Sequence, residues 1–392
     1  VFILTRLAKV LAFFGSIMIG ATSNPAFASD NNREAVKKIV DASITPLMKK
    51  YHIAGMAVGV STNGRRFIFN YGVASQSTKK AVTDNSFFEI GSISKTMTAT
   101  LASLAQIDGK MSFSDKVEKF LPDLKGTSFG DLTLLNLGTH TSGGLPLQLP
   151  QSVTSEAKLF EYLKAWKPNK QPGTVRNYAN PGIGMLGYIT AKSMKQDYDR
   201  LIKDSLFEPL GMRQSFIEIP TSKIDDYVQG YTETDSPIHK DKRVLSSEAY
   251  GVTTTAADLI NFVEHNMGVV SAGEKLQRAL INTHEGYFKV GAMTQDLIWE
   301  QFPLPVAEKD LLDGSSHSVV FEAAPVVKIV PPEQPRPDVW LHKTGSTAGF
   351  AAYAAFIPRE KLGIVILANK SYPIEARILA ARKIFHDLGG QF

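Results

Sequence analysis

The spacing of apolar residues changes period along the chain. From Asn32 to Tyr51, Ala35, Ile39, Val40, Ile44 and Leu47 fall at helical spacing and predict an amphipathic helix. Met56-Ala57-Val58-Gly59-Val60 and Phe67-Ile68-Phe69 then flank Asn63-Gly64, which predicts a tight hairpin because both central turn residues need positive φ. Helical spacing returns after Ser94, where Met97, Leu101, Leu104 and Ile107 mark one face until Gly109 stops it. Further helices are predicted at Glu156–Trp166 and Ile183–Met194, with Pro- and Gly-rich loops at 143–150 and 168–182. Near the end, Trp340–His342, Phe350–Ile357 and Gly363–Asn369 read as strands, with a turn at Pro358–Lys361. A closing helix over Ile374–Leu388 would lay Ile378, Leu379, Ile384, Phe385 and Leu388 on a sheet.

Strand patterns at both ends and helices between them predict an α/β fold of the α+β type. One antiparallel sheet is built from the N- and C-terminal segments and flanked by helices, with a mostly helical domain inserted. The α/β part is expected over 29–94 and about 204–392, and the helical part over about 95–203. A cleft between the two parts is the natural place for a site.

Composition adds exclusions. With 43% hydrophobic and 21% charged residues the chain is ordinary for a globular protein. A net charge of +5, without a run of Lys and Arg, gives no electrostatic stripe for nucleic acid. Arg6 and Lys9 precede the apolar run Val10–Ala21, and Ala26-Phe27-Ala28 follows with a small-x-small pattern. This predicts a secretory signal peptide over 1–28 and export to the periplasm. The run falls short of the roughly 20 apolar residues of a bilayer span, so no stable membrane anchor is expected. The absence of cysteine removes thiol nucleophiles and thiolate metal sites, and the eight histidines are scattered without an HExxH pair. No metal and no cofactor are expected, and nothing suggests an assembly larger than a monomer.

Three short motifs carry candidate chemistry. In Ser92-Ile93-Ser94-Lys95, a serine and a lysine three apart share a helix face, and the lysine can accept or relay the serine proton. Ser77-x-x-Lys80 and Ser155-x-x-Lys158 have the same spacing, so this motif alone does not select Ser92. In Tyr178-Ala179-Asn180, a phenol is too weak an acid for base duty unless nearby lysines favour phenolate, and Asn180 offers a donor and an acceptor to an amide. In Lys343-Thr344-Gly345, a lysine on a strand can hold a carboxylate, and Gly345 leaves room for close backbone approach. Gly182-Ile183-Gly184-Met185-Leu186-Gly187 fits a dinucleotide pattern but lacks the preceding apolar strand, so these glycines are expected to serve helix packing.

The order and separation of the three motifs are those of penicillin-interacting serine enzymes. With Phe88–Thr96, Gly143–Gln148, Glu248–Val252 and His342–Thr347, the chain resembles class C β-lactamases over nearly its whole expected mature length. The resemblance implies hydrolysis of β-lactams, cephalosporins preferentially, through an acyl-enzyme on Ser92, and hence antibiotic resistance. It implies that Lys95 and Tyr178 handle the proton, which of them is the acylation base staying open because two such groups titrate as a unit. It implies an oxyanion hole from the backbone of Ser92 and Ser346. Gln148 and Asn180 would bind the acylamide, and Tyr250 would pack on the side chain of the drug. Lys343, Thr344, Asn369 and Arg377 would face the carboxylate. Two departures stand out: Ile374 replaces an asparagine frequent in the family, and Lys240-Asp241-Lys242-Arg243 is more charged than the family's Pro-Gly segment. Two other readings remain, a peptidoglycan D-Ala-D-Ala peptidase or serine esterase on the same scaffold, and a non-catalytic periplasmic sensor; Lys343-Thr344-Gly345 favours the lactamase.

Overall fold

A computed structural model describes residues 25–392 apart from 317, 320 and 321. The leader expected at 1–28 lies outside the described residues except for its last four positions, which open the first helix. That helix, α1 (Pro25–Tyr51), starts earlier than its amphipathic spacing predicts.

The main sheet has nine strands: β1 (Gly55–Thr62), β2 (Arg65–Gly72), β3 (Gly286–Val290), β4 (Met293–Gln295), β5 (Glu300–Pro303), β6 (Val327–Glu333), β7 (Val339–Ser346), β8 (Ala351–Ile357) and β9 (Leu362–Ala368). They lie in the order β6-β3-β4-β5-β7-β8-β9-β1-β2, every neighbour antiparallel. The N- and C-terminal parts of the sheet are joined where β1 pairs with β9, Val58 opposite Ile366. The β1–β2 turn is formed by Asn63 and Gly64 at φ 51° and 71°, the geometry that dipeptide favours.

Helices cover both faces. On one, Leu341, Ala354 and Val365 pack against α2 (Ser94–Ile107) and α5 (Ala256–Asn266), which present Met97, Leu101, Ile260 and Val263. On the other, Trp340, Tyr353 and Ile364 pack against α1 and α6 (Ile374–Asp387). The inward stripe of α6 is Ile378, Ala381, Ile384 and Phe385; Leu379, expected on it, is 38% exposed because it sits one step around the helix. A further core lies in the helical region, where Leu137, Ile183 and Leu186 meet Leu297. Here α3 (Asn180–Ser193) crosses behind α4 (Ser246–Tyr250). A Cβ on Gly184 would lie 2.7 Å from Leu245 Cβ, and one on Gly187 2.7 Å from Glu248 Cγ, so these glycines permit close helix approach. Among the described residues, no helix is long and apolar enough to cross a membrane.

Candidate active site

The site forms where three unconnected elements end together. A single 3₁₀ turn, Gly91–Ile93, leads into α2, and its Ser92 is half-buried while Lys95, one turn on, is fully buried. Lys95 Nζ donates to Ser92 Oγ at 2.9 Å and to the Ala249 carbonyl at 2.7 Å. Ser94 Oγ accepts from the Val252 amide at 3.1 Å, so the helix start is tied to the segment after α4.

Tyr178 precedes α3 and lies between cations. Lys95 Nζ and Lys343 Nζ are 5.3 and 5.2 Å from its ring centroid, and Arg176 Cζ is 5.5 Å away. His140 stacks on the ring with centroids 4.2 Å apart, and its Nδ1 accepts from the Ala179 amide at 3.2 Å. Burial pushes the phenol pKa up, but the charges of Lys343 and Lys95, helped by the Ser92 hydroxyl, outweigh it and hold it below its ordinary value. Lys95 is brought down to about 8, first by burial, with the Tyr178 phenolate opposing and Lys343 assisting. Burial, then the charges of Arg176, Lys95 and Lys343, keep His140 well below the usual histidine range, so its ring is neutral.

Lys343, on β7, is buried, with Nζ 3.5 Å from Glu300 Oε1 and 3.4 Å from the Thr344 carbonyl. Glu300 also receives Arg176 Nη2 at 2.8 Å and has His342 Nε2 at 3.4 Å from its other oxygen. Burial opposes the charge on Glu300, but Lys343, His342 and Arg176 keep it ionised, far below the usual carboxylate range. The one buried carboxylate thus pairs with two cations, Lys343 and Arg176, and with Lys95 on the same ring the charge around the phenol stays in positive excess.

Alternation along β7 turns Lys343 and Gly345 toward α2 and Thr344 and Ser346 to the opposite face. A Cβ on Gly345 would lie 2.0 Å from the Ile90 carbonyl. The room expected there for substrate is thus filled by this chain's own backbone, which brings β7 against the Ser92 turn. A cavity of about 250 Å³ touches Ser92 and Ser346, and a groove of about 680 Å³ continues outward between the 148–154 and 242–245 loops. Gln148, Asn180 and Tyr250 line both. Asn180 Oδ1 is buried without a hydrogen-bond partner, an acceptor left for a ligand amide.

The structure does not bring Asn369 to the cleft. Its Oδ1 accepts from the Gly55 amide at 2.7 Å and its Nδ2 donates to the Val73 carbonyl at 3.2 Å, so its amide ties the end of β9 to the start of β1. Arg377 is buried and reaches the site through protein atoms. Its Nη1 donates to the Gly345 carbonyl at 2.8 Å and to Ser346 Oγ at 3.0 Å, and its Nη2 donates to the Tyr372 carbonyl at 2.5 Å. Sequence reasoning missed Arg176, Glu300 and His140. Arg176 sits two residues before Tyr178, but its partner Glu300 is 124 residues away and carries no local signal.

A model of the family described as Beta-lactamase matches residues 40–388. A β-lactamase of Lysobacter lactamgenus is 42% identical over 384 residues, covering 98% of both chains. One of Escherichia coli K12 is 38% identical over 91% of this chain and 94% of its own. Among solved structures, a class C β-lactamase in complex with cefoxitin superposes with a TM-score of 0.88 at 45% identity, over 91% of this chain and 99% of its own. A protein described as the D-alanine carboxypeptidase AmpC of Burkholderia cenocepacia superposes at 0.87 with 48% identity, over 90% and 99%. With a match spanning nearly the whole described chain, the architecture in common and a serine, two lysines and a tyrosine gathered at one point, this chain belongs to the class C serine β-lactamase family.

Proposed function

We propose that the chain hydrolyses β-lactam antibiotics, cephalosporins preferentially, through a covalent ester on Ser92, and that it does so in the periplasm after removal of residues 1–28. The observation that carries the mechanism is the 2.9 Å contact of Lys95 Nζ with Ser92 Oγ beside a phenol held between two lysines. Ser92 Oγ attacks the lactam carbonyl and gives its proton to the Lys95–Tyr178 pair. The ring C–N bond then breaks, and the pair returns that proton to the departing nitrogen. In the second half, a water loses a proton to the same pair and attacks the ester carbonyl, and the proton passes to Ser92 as the C–O bond opens. A lysine poised at about 8 and a phenol drawn below its ordinary range suit this two-way traffic near neutral pH.

The backbone amides of Ser92 and Ser346 would stabilise the tetrahedral oxyanion. Gln148 and Asn180 would hold the acylamide, Tyr250 would pack on its side chain, Thr344 would meet the carboxylate, and Lys343 would draw it by charge from the other face of the strand. Arg377 would act on that carboxylate indirectly, by fixing Ser346. Ser92→Ala should lower turnover of a chromogenic cephalosporin by at least about 10⁴-fold; undiminished hydrolysis would overturn the assignment. Comparison of kcat/KM for a cephalosporin and a penicillin tests the preference.

A second reading, D-Ala-D-Ala carboxypeptidase, is favoured by the description of the Burkholderia neighbour. The two differ in release of the acyl group. A peptidase stays acylated by penicillin after one equivalent, whereas a lactamase consumes many.

A further inference from the structure

The basic loop Lys240-Asp241-Lys242-Arg243 borders the cleft, and its residues are unequally engaged. Lys240 Nζ is held by the Gly251 carbonyl and by Thr253 Oγ1 at 2.6 Å, which fixes the loop. Lys242 is paired with Glu218. Arg243 meets Asp241 only at 3.5 Å through Nη2, and the Asp241 side chain is 78% exposed, so water screens the pair and the rest of the guanidinium fork is left available.

Four residues line both the cavity over Ser92 and the outer groove: Gln148, Asn180, Tyr250 and Arg243. Arg243 is the one charged member of that set. The groove beyond it is lined by Lys242 as well and, among the described residues, by no aspartate or glutamate. A substrate amide lodged against Asn180 would send its acyl substituent past Arg243 into a space of about 680 Å³ whose charged lining residues are both cations.

We propose that Arg243 is a specificity-determining residue, and that the groove selects β-lactams whose acylamido side chain ends in a carboxylate. This rests on the β-lactam hydrolysis reading. The guanidinium fork matches a carboxylate in two parallel N–H···O bonds, which a neutral amide cannot reproduce.

The test uses two cephalosporins differing at one group, a 7-glutaramido compound and its primary-amide analogue, assayed on the full-length mature enzyme. The wild type should show kcat/KM roughly fivefold higher for the carboxylate, the scale of a half-exposed ion pair, with the ratio falling as salt is raised. Arg243→Gln should bring the ratio to about one, and Asp241→Asn should raise it by freeing the fork. A wild-type ratio near one, or a ratio unchanged in Arg243→Gln while both drugs are hydrolysed, overturns the proposal and leaves the hydrolysis reading intact. Failure of the wild type to hydrolyse either drug overturns both.

Discussion

Gly91 and Ser346 touch through their backbones, 255 positions apart: a Cβ on Gly91 would lie 2.6 Å from both the amide nitrogen and the carbonyl oxygen of Ser346. Gly91 also has φ +50°, in the left-handed region that costs a side chain energy. The residue before Ser92 therefore sets the distance between the Ser92 turn and the end of β7.

Gly91→Ala should separate those elements. The expected outcome is a loss of about 1–3 kcal/mol in stability, from strain and displacement together. The acylation rate should fall by about 100-fold, as misplaced reacting groups do. Chemical denaturation and pre-steady-state burst kinetics read the two separately. An alanine variant with wild-type acylation would show that this spacing does not matter.

Lys95 makes stability depend on pH in a defined direction. Burial holds it at about 8 in the folded chain against an ordinary 10.5. Below pH 8 both folded and unfolded chains carry the proton, and the cost of burying the charge is constant. Between 8 and 10.5 the unfolded chain keeps a proton that the folded chain has released, so the folded state gains as pH rises. The stability of wild type relative to Lys95→Met should be flat from pH 6 to 7.5 and then rise by about 1 kcal/mol per unit to pH 10. Urea denaturation of both proteins across that range measures it; a difference that stays flat to pH 10 contradicts the placement of a titrating lysine there.

Arg377 holds three backbone carbonyls, those of Gly345, Ala352 and Tyr372, and the Ser346 hydroxyl. Arg377→Met removes every donor while keeping most of the volume, and should cost about 2–4 kcal/mol. Because the loosened group is Ser346, KM for β-lactams should rise as well. Arg377→Lys, which can satisfy part of the set, should recover part of both effects. Equal stability of Arg377→Met and wild type would remove its positioning role.

Legibility in the sequence followed the range of the interactions. Ser92 and Lys95 are one helical turn apart, so their contact was readable from spacing alone, and Asn63-Gly64 named its own turn. Tyr178 and Lys343 became candidates through motif order and family resemblance, since no local rule joins residues on a loop and a distant strand. Glu300 and Arg176 were invisible, because a buried ion pair is written only in the folded contact. Asn369 was expected at the substrate, but its amide is consumed by Gly55 and Val73, some 300 residues earlier in the chain. Gly345 was expected to make room for a ligand and instead makes room for Ile90, a distinction that spacing cannot draw. The charged loop at 240–243 was visible as a departure from the family, but only the cavity lining separates Arg243 from its neighbours.

The most direct measurement is the mass of the protein during turnover. Purified protein mixed with a slowly released cephalosporin is quenched in acid at intervals, digested and mapped. The expected result is one drug-derived acyl group on the peptide containing Ser92, rising and then decaying as product forms, and absent from Ser92→Ala. Consumption of the drug with no adduct at any time, or an adduct on another side chain, would contradict a covalent route through Ser92.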